Sequence, residues 1–464
     1  MDQWKYKRIR ESLYPESVAI LGVSDAANNL GRQMVDGLAL QGFSGKIYLV
    51  HPRLKELLGH KVYPNLEAIG EKVDLVVSSL NAKITTESVI ESCAKIGAKG
   101  IVCFAGGFKE VGDEGLRYEK RLKEVADANQ IIIFGPNILG IANNESRLYA
   151  TFWSFKERNP LGSISILGQS GGIATVMFSA LIDQNIGINK WVCLGNRTNL
   201  EFSDMFHYLA EDEGTKVIMA FVEAVENGRD FMEAAHSVAL KKPLILLRGA
   251  RNESTRHVAT SHTGTMGGNY QIFRSLCRQY QILEVDNSND LATVCKALSL
   301  SPKPSGDRVA VFTHTAGPSI LTLDTLIEHG CPLAKVSPET LLKIKGLIGE
   351  STPVVLSPNP IDVTGSGFFV DIYSKCVETV LEDSGVDVLI VIYAVHRNYE
   401  TPAKALAALQ RRTSKPILAC IVSSKDEIRE DEKILREAGI PIYQTPEEAA
   451  LAASYLVKYY KLSS

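Results

Sequence analysis

Two histidines, His257 and His262, stand in the stretch HVATSHTGTMG at 257–267, shortly after the apolar run PLILL at 243–247. That run reads as a buried strand of a parallel sheet. Polar, glycine-bearing sequence just beyond such a strand lies where open α/β sheets place their chemistry. Ser261, Thr263 and Gly264 are small and let a ligand approach the backbone around His262. An imidazole so placed reads as a nucleophile that carries a phosphoryl group, the plainer alternative being a hydrogen-bonded loop histidine. Glu223 follows a second apolar run, VIMAFV at 217–222, in the same domain. Its carboxylate would accept the proton of one ring nitrogen and support the cation once the other nitrogen is phosphorylated. A solvated strand-end carboxylate is the plainer reading there.

A phosphoryl carrier needs anion cradles, and the sequence offers three. The first follows the strand at 17–21: Gly22, Ser24 and Gly31 frame a loop that opens into an amphipathic stretch to Leu40. Free N–H groups at a helix N-terminus favour anions. The strand at 46–50 ends in His51-Pro52-Arg53. A nicotinamide site would want GxGxxG and an acid after this second strand, and neither is present. A basic strand end suits a phosphorylated ribose, that of coenzyme A or of NADP. The second cradle is Ser170-Gly171-Gly172 after the strand at 163–167, with a helix expected from about residue 173. An ordinary helix cap is its plain reading. The third, Thr313-His314-Thr315-Ala316-Gly317-Pro318, follows the strand at 309–312 and precedes a helix to about Glu328. The second and third echo each other, so two similar domains would face one phosphate from two sides.

These turns need sheets to hold them. Further strands at 73–78, 100–104 and 131–134 run into the turns Ala105-Gly106-Gly107 and Gly135-Pro136-Asn137. Others are expected at 191–194, 386–392 and 417–421, with an edge strand and capped helix over 439–449. Strands alternating with helical patterns indicate α/β architecture with doubly wound parallel sheets. A 464-residue chain, 45% hydrophobic, divides into about three domains. We expect boundaries of 1–140, 141–300 and 309–464, with SPKPSGDR at 301–308 as a linker.

A formal net charge of −3 gives no electrostatic reason to expect nucleic acid or an anionic membrane. No apolar run reaches the roughly 20 residues of a membrane span, and MDQWKYKRIRESLYPES lacks a signal-peptide core. The eight cysteines are scattered without CxxC pairs and read as reduced core residues of a cytoplasmic protein. There is no GxxxxGK[ST], HExxH or other metal motif, so any ATP site would be supplied by another chain.

Between PESVAILGVS at 15–24 and the IPIYQTPEEAA tail at 440–450, nearly the whole chain, run the motifs GPN at 135–137, QSGG at 169–172, LGN at 194–196, SHTGT at 261–265, TxxxGP at 313–318 and NPID at 359–362. Together they resemble the α subunits of ADP-forming acyl-CoA (acetyl-CoA) synthetases, relatives of succinyl-CoA synthetase. The resemblance implies a Rossmann-like CoA-binding domain followed by two flavodoxin-like domains. It implies that His262 rather than His257 is phosphorylated, that Glu223 supports the phosphohistidine, and that Ser170, Gly171 and Gly172 with Thr315, Ala316 and Gly317 bind phosphate from two helix N-termini. For coenzyme A it implies Gly22, Ser24, Gly31, Pro52, Arg53 and Ala105, Gly106 and Gly107, with Asn137 by the thioester carbonyl.

The reaction so implied interconverts acyl-CoA, ADP and phosphate with a carboxylic acid, ATP and CoA, through acyl phosphate and phosphohistidine. ADP or ATP with Mg2+ would sit on an ATP-grasp β subunit, in an α2β2 assembly, with a small carboxylic acid as the other substrate. Ile138, where the family has cysteine, the 313–318 turn, where it has TNAGGP, and Gly249-Ala250-Arg251, where it has SGR, depart from the pattern. They bear on acyl preference. The rivals are a CoA-binding regulatory or scaffold protein of this fold and an NADP-dependent oxidoreductase.

Overall fold

The computed structural model describes residues 2–252, 254–255, 269–349, 353–396 and 400–462. It packs as two compact units, Met1–Leu291 and Ala292–Ser464. The first unit holds two seven-stranded sheets and the second a five-stranded sheet.

The first sheet contains β1 (Ser17–Leu21), β2 (Lys46–Val50), β3 (Glu56–Leu57), β4 (His60–Tyr63), β5 (Leu75–Ser78), β6 (Gly100–Cys103) and β7 (Ile132–Phe134). Their order is β3-β4-β2-β1-β5-β6-β7, parallel except for the β3–β4 hairpin. All five β1 residues are buried, which is why this segment is apolar throughout rather than alternating. Ile90, Cys93, Leu122 and Val125 come from helices packed on the sheet and fill its core with Ala19, Val76 and Ile101.

The second sheet contains β8 (Gly140–Asn143), β9 (Leu148–Thr151), β10 (Leu161–Gly168), β11 (Ile188–Cys193), β12 (Val217–Val222), β13 (Leu244–Arg248) and β14 (Leu283–Val285). Its order is β14-β13-β12-β10-β11-β8-β9. The hairpin β8–β9 adds to β11 antiparallel, an extension that hydropathy alone did not suggest because both strands are short and buried. The third sheet contains β15 (Val309–Thr313), β16 (Ile361–Asp362), β17 (Val388–Ala394), β18 (Ile417–Val422) and β19 (Ile442–Tyr443), in the order β16-β15-β17-β18-β19 and wholly parallel. Two separate apolar clusters line its two faces. The α/β class read from the sequence is the class observed.

Each sheet has one strand from which the chain departs to one neighbour and then returns to the other. From β1 it goes to β2 and then to β5; from β10 to β11 and then to β12; from β15 to β16 and then to β17. The carboxyl end of such a strand opens a crevice, the place where doubly wound folds bind ligands. The three cradles expected from the sequence follow β1, β10 and β15. The eight cysteines are free and buried, and among the described residues no helix is long and apolar enough to cross a membrane.

Candidate active site

The loop after β1 is knotted by Asn29. Its Oδ1 accepts the N–H groups of Ser24 (3.1 Å) and Arg32 (2.9 Å), and its Nδ2 donates to the Gly22 carbonyl (2.9 Å). Asn29 thereby caps the helix Leu30–Gln41. Gly22 has φ +84°, and a Cβ there would fall 2.2 Å from Ser79 Oγ, so only glycine fits. Beside it opens a mostly apolar cavity of about 620 Å3 lined by Gly22, Ser24, His51, Pro52 and Asn65 among others. That size suits a drug- or cofactor-sized ligand, and among the described residues no carboxylate lines it to hold a ribose diol. Gly31 lies in the first turn of the helix, where a Cβ would be 2.9 Å from Val23 Cγ1; it lets the helix approach rather than lining the cavity. Arg53 is exposed one residue beyond the lining, its N–H on His51 Nδ1 (3.2 Å).

A second cavity, about 250 Å3, opens at the carboxyl end of β10. Its polar wall carries Asn137, Gln169, Ser170, Gly171, Gly172 and Asn196. Phe104, Ile138, Leu139 and Phe152 form an apolar wall, with the two phenylalanine rings edge to face at 5.1 Å. Ser170 is the N-cap of the helix Gly171–Ile182. The first N–H groups of that helix have no partner within it and carry its positive dipole end. Thus Asn137 and the Ser170–Gly172 cradle share one cavity.

Three turns interlock around this cavity. The Asn137 N–H donates to Ala105 O (3.1 Å) and the Asn196 N–H to Pro136 O (3.0 Å). Gly195, at φ +54°, brings its α-carbon so near that a Cβ would sit 2.2 Å from Pro136 O. Glu110 joins the turns by side chain. One carboxylate oxygen accepts the N–H groups of Gly107 (2.6 Å) and Phe108 (3.2 Å), and the other accepts Asn196 Nδ2 (2.7 Å). Burial pushes the Glu110 carboxyl up, but these donors outweigh it and hold the group below its ordinary value. Asn196 Nδ2 also donates to Glu119 (3.0 Å), which pairs with Lys109. Ala105–Gly107 is therefore clamped beside the second cavity without lining it. Glu110, Asn196 and Gln169 were not assigned from the sequence; Gln169 and Asn196 stand inside quoted motifs, whereas nothing local marks Glu110.

Glu223 immediately follows β12, next to β10 in the sheet. Its N–H donates to Gln169 Oε1 (2.9 Å), as does that of Ala224 (3.0 Å). On the other side of β12, Arg248 pairs in register with Val222. Burial pushes its guanidinium down to about 10, with the Glu223 charge opposing the shift; the cation persists at neutral pH. β13 ends there, so the strand expected to lead into the histidine stretch terminates beside Glu223. His262 and His257 lie outside the described residues.

In the second unit, Thr315 is the N-cap of the helix Ala316–Glu328, with Ala316 and Gly317 in its first turn. Thr313 Oγ1 accepts the Thr315 N–H (2.9 Å) and donates to its carbonyl (2.9 Å). His314 turns inward, edge to face with Phe368 at 4.5 Å, and its Nε2 accepts the Ala394 N–H (2.9 Å). Burial pushes this imidazole below its ordinary value.

Residues 16–144 match the CoA binding domain family, and residues 161–298 match the succinyl-CoA ligase like flavodoxin domain. The α subunit of acetate–CoA ligase [ADP-forming] II from Pyrococcus furiosus is 32% identical over 454 residues, 96% of this chain and 97% of that one. The chain belongs to the ADP-forming acetate–CoA ligase family. Another member, acetate–CoA ligase [ADP-forming] I of Archaeoglobus fulgidus, is 33% identical over 97% of this chain, which spans 64% of that protein's length. Among solved structures, the dinucleotide-forming acetyl-coenzyme A synthetase 1 of Ca. Korarchaeum cryptofilum, in complex with phosphate and ADP, superposes with a TM-score of 0.89. It is 31% identical, over 98% of this chain and 97% of that one. As an ADP-forming ligase-family chain, the protein has the Rossmann-like and flavodoxin-like domains expected of it.

Proposed function

We propose that this chain is the α subunit of an ADP-forming acyl-CoA synthetase and carries out its acyl- and phosphoryl-transfer half. The observation that carries the reading is the meeting, at the carboxyl end of β10, of a cavity of about 250 Å3, a helix N-terminus with Ser170, Gly171 and Gly172, and the strand bearing Glu223. Coenzyme A enters along the cavity lined by Gly22, Ser24 and Pro52, with Arg53 available to its ribose phosphate and Gly31 holding the helix close. The Ala105–Gly107 turn guides the pantetheine arm, and Asn137 donates to the thioester carbonyl. A phosphate oxygen attacks that carbonyl, the C–S bond breaks, and CoA leaves, giving an acyl phosphate. His262 then attacks phosphorus and the P–O bond to the carboxylate breaks, releasing the acid. Glu223 supports the charged ring. The transfer depends on positioning and neutralising donors rather than further covalent chemistry.

Thr315, Ala316 and Gly317 supply a second helix N-terminus that receives phosphate. A division into three domains, 1–140, 141–300 and 309–464, is supported by the succession of three sheets along the chain. ADP with Mg2+ belongs to an ATP-grasp β subunit in an α2β2 assembly, in the cytoplasm, and a small carboxylic acid is the organic product. The test is ATP formation from acetyl-CoA, ADP and phosphate by this chain with an ATP-grasp partner, repeated over a panel of acyl-CoA thioesters. Turnover dependent on both chains supports the proposal. CoA binding without turnover on any thioester would make the chain a CoA-binding regulator instead.

A further inference from the structure

Two carboxamides on the wall of the second cavity have no freedom to choose which end they present. Gln169, 3% exposed, spends Oε1 on two backbone N–H groups, those of Glu223 (2.9 Å) and Ala224 (3.0 Å). Rotating the amide by 180° would set its NH2 against two donors. Its Nε2 is therefore fixed as the spare donor, and it is buried without a hydrogen-bond partner. An unsatisfied buried donor costs about 1–3 kcal/mol, so such an atom in a ligand cavity marks a place for an acceptor. Asn196, also 3% exposed, is fixed the opposite way. Its Nδ2 donates to Glu110 (2.7 Å) and to Glu119 (3.0 Å), and a flip would put its oxygen against two carboxylates. What it has left for the cavity is the acceptor Oδ1.

We propose that Gln169 and Asn196 form an oriented donor–acceptor pair that binds inorganic phosphate as its monohydrogen form, Gln169 Nε2 donating to an unprotonated oxygen and Asn196 Oδ1 accepting the P–OH. This rests on the reading of the Ser170–Gly172 turn as a phosphate cradle, and it adds to that cradle a reader of protonation. N–H groups at a helix terminus bind any tetrahedral anion. Sulfate has the same shape but no proton at neutral pH, so an acceptor fixed by two carboxylates repels it while holding phosphate. Asn196 is thereby the residue that determines anion specificity, and Glu110 and Glu119 are the positioning residues behind it.

The experiment is isothermal titration of the full chain with its ATP-grasp partner, using inorganic phosphate and sulfate as separate titrants, for wild type, Gln169→Glu and Asn196→Ala. Gln169→Glu keeps an oxygen on the Glu223 and Ala224 N–H groups and replaces the spare donor by a charged acceptor. Asn196→Ala leaves Glu110 on Gly107 and Phe108, and Glu119 on Lys109. Thermal unfolding confirms that both variants are folded. Wild type binds phosphate at least tenfold tighter than sulfate; Gln169→Glu weakens both anions at least tenfold; Asn196→Ala brings the two within about twofold, by weakening phosphate and relieving the repulsion of sulfate. Wild type that binds both anions equally, or an Asn196→Ala variant that keeps full discrimination, overturns the pair while leaving the cradle standing. Wild type that binds neither anion overturns the cradle and the pair together.

Discussion

The turn after β10 and the turn after β15 solve one structural problem with different side chains. In each, the residue just past the strand reaches sideways to the backbone at the carboxyl end of the next parallel strand. Gln169 accepts the N–H groups of Glu223 and Ala224 beyond β12; His314 accepts the N–H of Ala394 at the end of β17. In each, the group used as acceptor leaves a nitrogen behind. Because His314 Nε2 accepts, a neutral ring carries its proton on Nδ1, which is buried and without a partner, as is Gln169 Nε2. The internal echo seen in the sequence is thus an echo of hydrogen-bond polarity: strand, inward acceptor, spare donor, helix N-terminus. The difference lies in what surrounds each turn. The first is wedged among neighbouring turns that Glu110 and Glu119 brace, whereas the second stands on the rings of Phe368 and Tyr373.

That contrast predicts unequal tolerance to substitution. The largest effect belongs to Glu110→Ala, which strands the N–H groups of Gly107 and Phe108 and one donor of Asn196. It should cost about 3 kcal/mol of stability and raise the KM for CoA more than tenfold; an unchanged KM would mean that the Ala105–Gly107 turn holds without its brace. Next is Gly171→Ala, whose Cβ would fall 2.6 Å from Leu139 Cγ. Overpacking of that kind should lower stability by about 1–3 kcal/mol in chemical unfolding. The matching position of the second turn already carries a Cβ, as Ala316, and Gly317→Ala, one residue further on, meets nothing within 4 Å. It should be neutral or stabilise by about 0.5–1 kcal/mol, so an equal loss at both positions would break the comparison.

The smallest effect is a pH slope. Burial lowers the His314 pKa from its ordinary value of 6.5, the Asp362 carboxylate opposing it in part, so the folded ring takes up its proton at lower pH than the unfolded one. As pH falls through 6.5 the unfolded chain binds a proton that the folded chain does not, and stability declines. Gln169 has no counterpart titration. Denaturant midpoints of the chain between pH 7.5 and 5.5 should fall less for His314→Asn than for wild type; parallel curves would remove His314 as the cause.

Much of this was legible in the sequence, for physical reasons that differ by residue. Strands buried on both faces, such as VIMAFV and PLILL, stay apolar along their whole length and end in small polar turns, so the crevices after β1, β10 and β15 could be placed from pattern alone. Gly22, Ser24, Pro52, Asn137 and Ser170–Gly172 all line cavities, because each sits just past a strand end. The hairpin β8–β9 was hidden, since it joins β11 across a long sequence gap and its four-residue strands carry no period of their own. Glu110 was hidden more deeply. It is an ordinary acid in a polar stretch, and its role arises only when β11 brings Asn196 to it, 86 residues further on. Gln169 was visible as a letter of QSGG, but its fixed orientation depends on Glu223 and Ala224 being folded beside it.

The proposed cycle turns on one histidine that carries phosphate, and intact-mass and phosphorylation-site mapping after exposure to acetyl-CoA and phosphate is the measurement to make. Wild type is compared with His262→Ala, with and without an ATP-grasp partner. An acid-labile gain of about 80 Da, one phosphoryl group, is expected on His262, discharged by ADP only when the partner is present and absent in His262→Ala. A label on His257, or none with any acyl-CoA while CoA still binds, would contradict it.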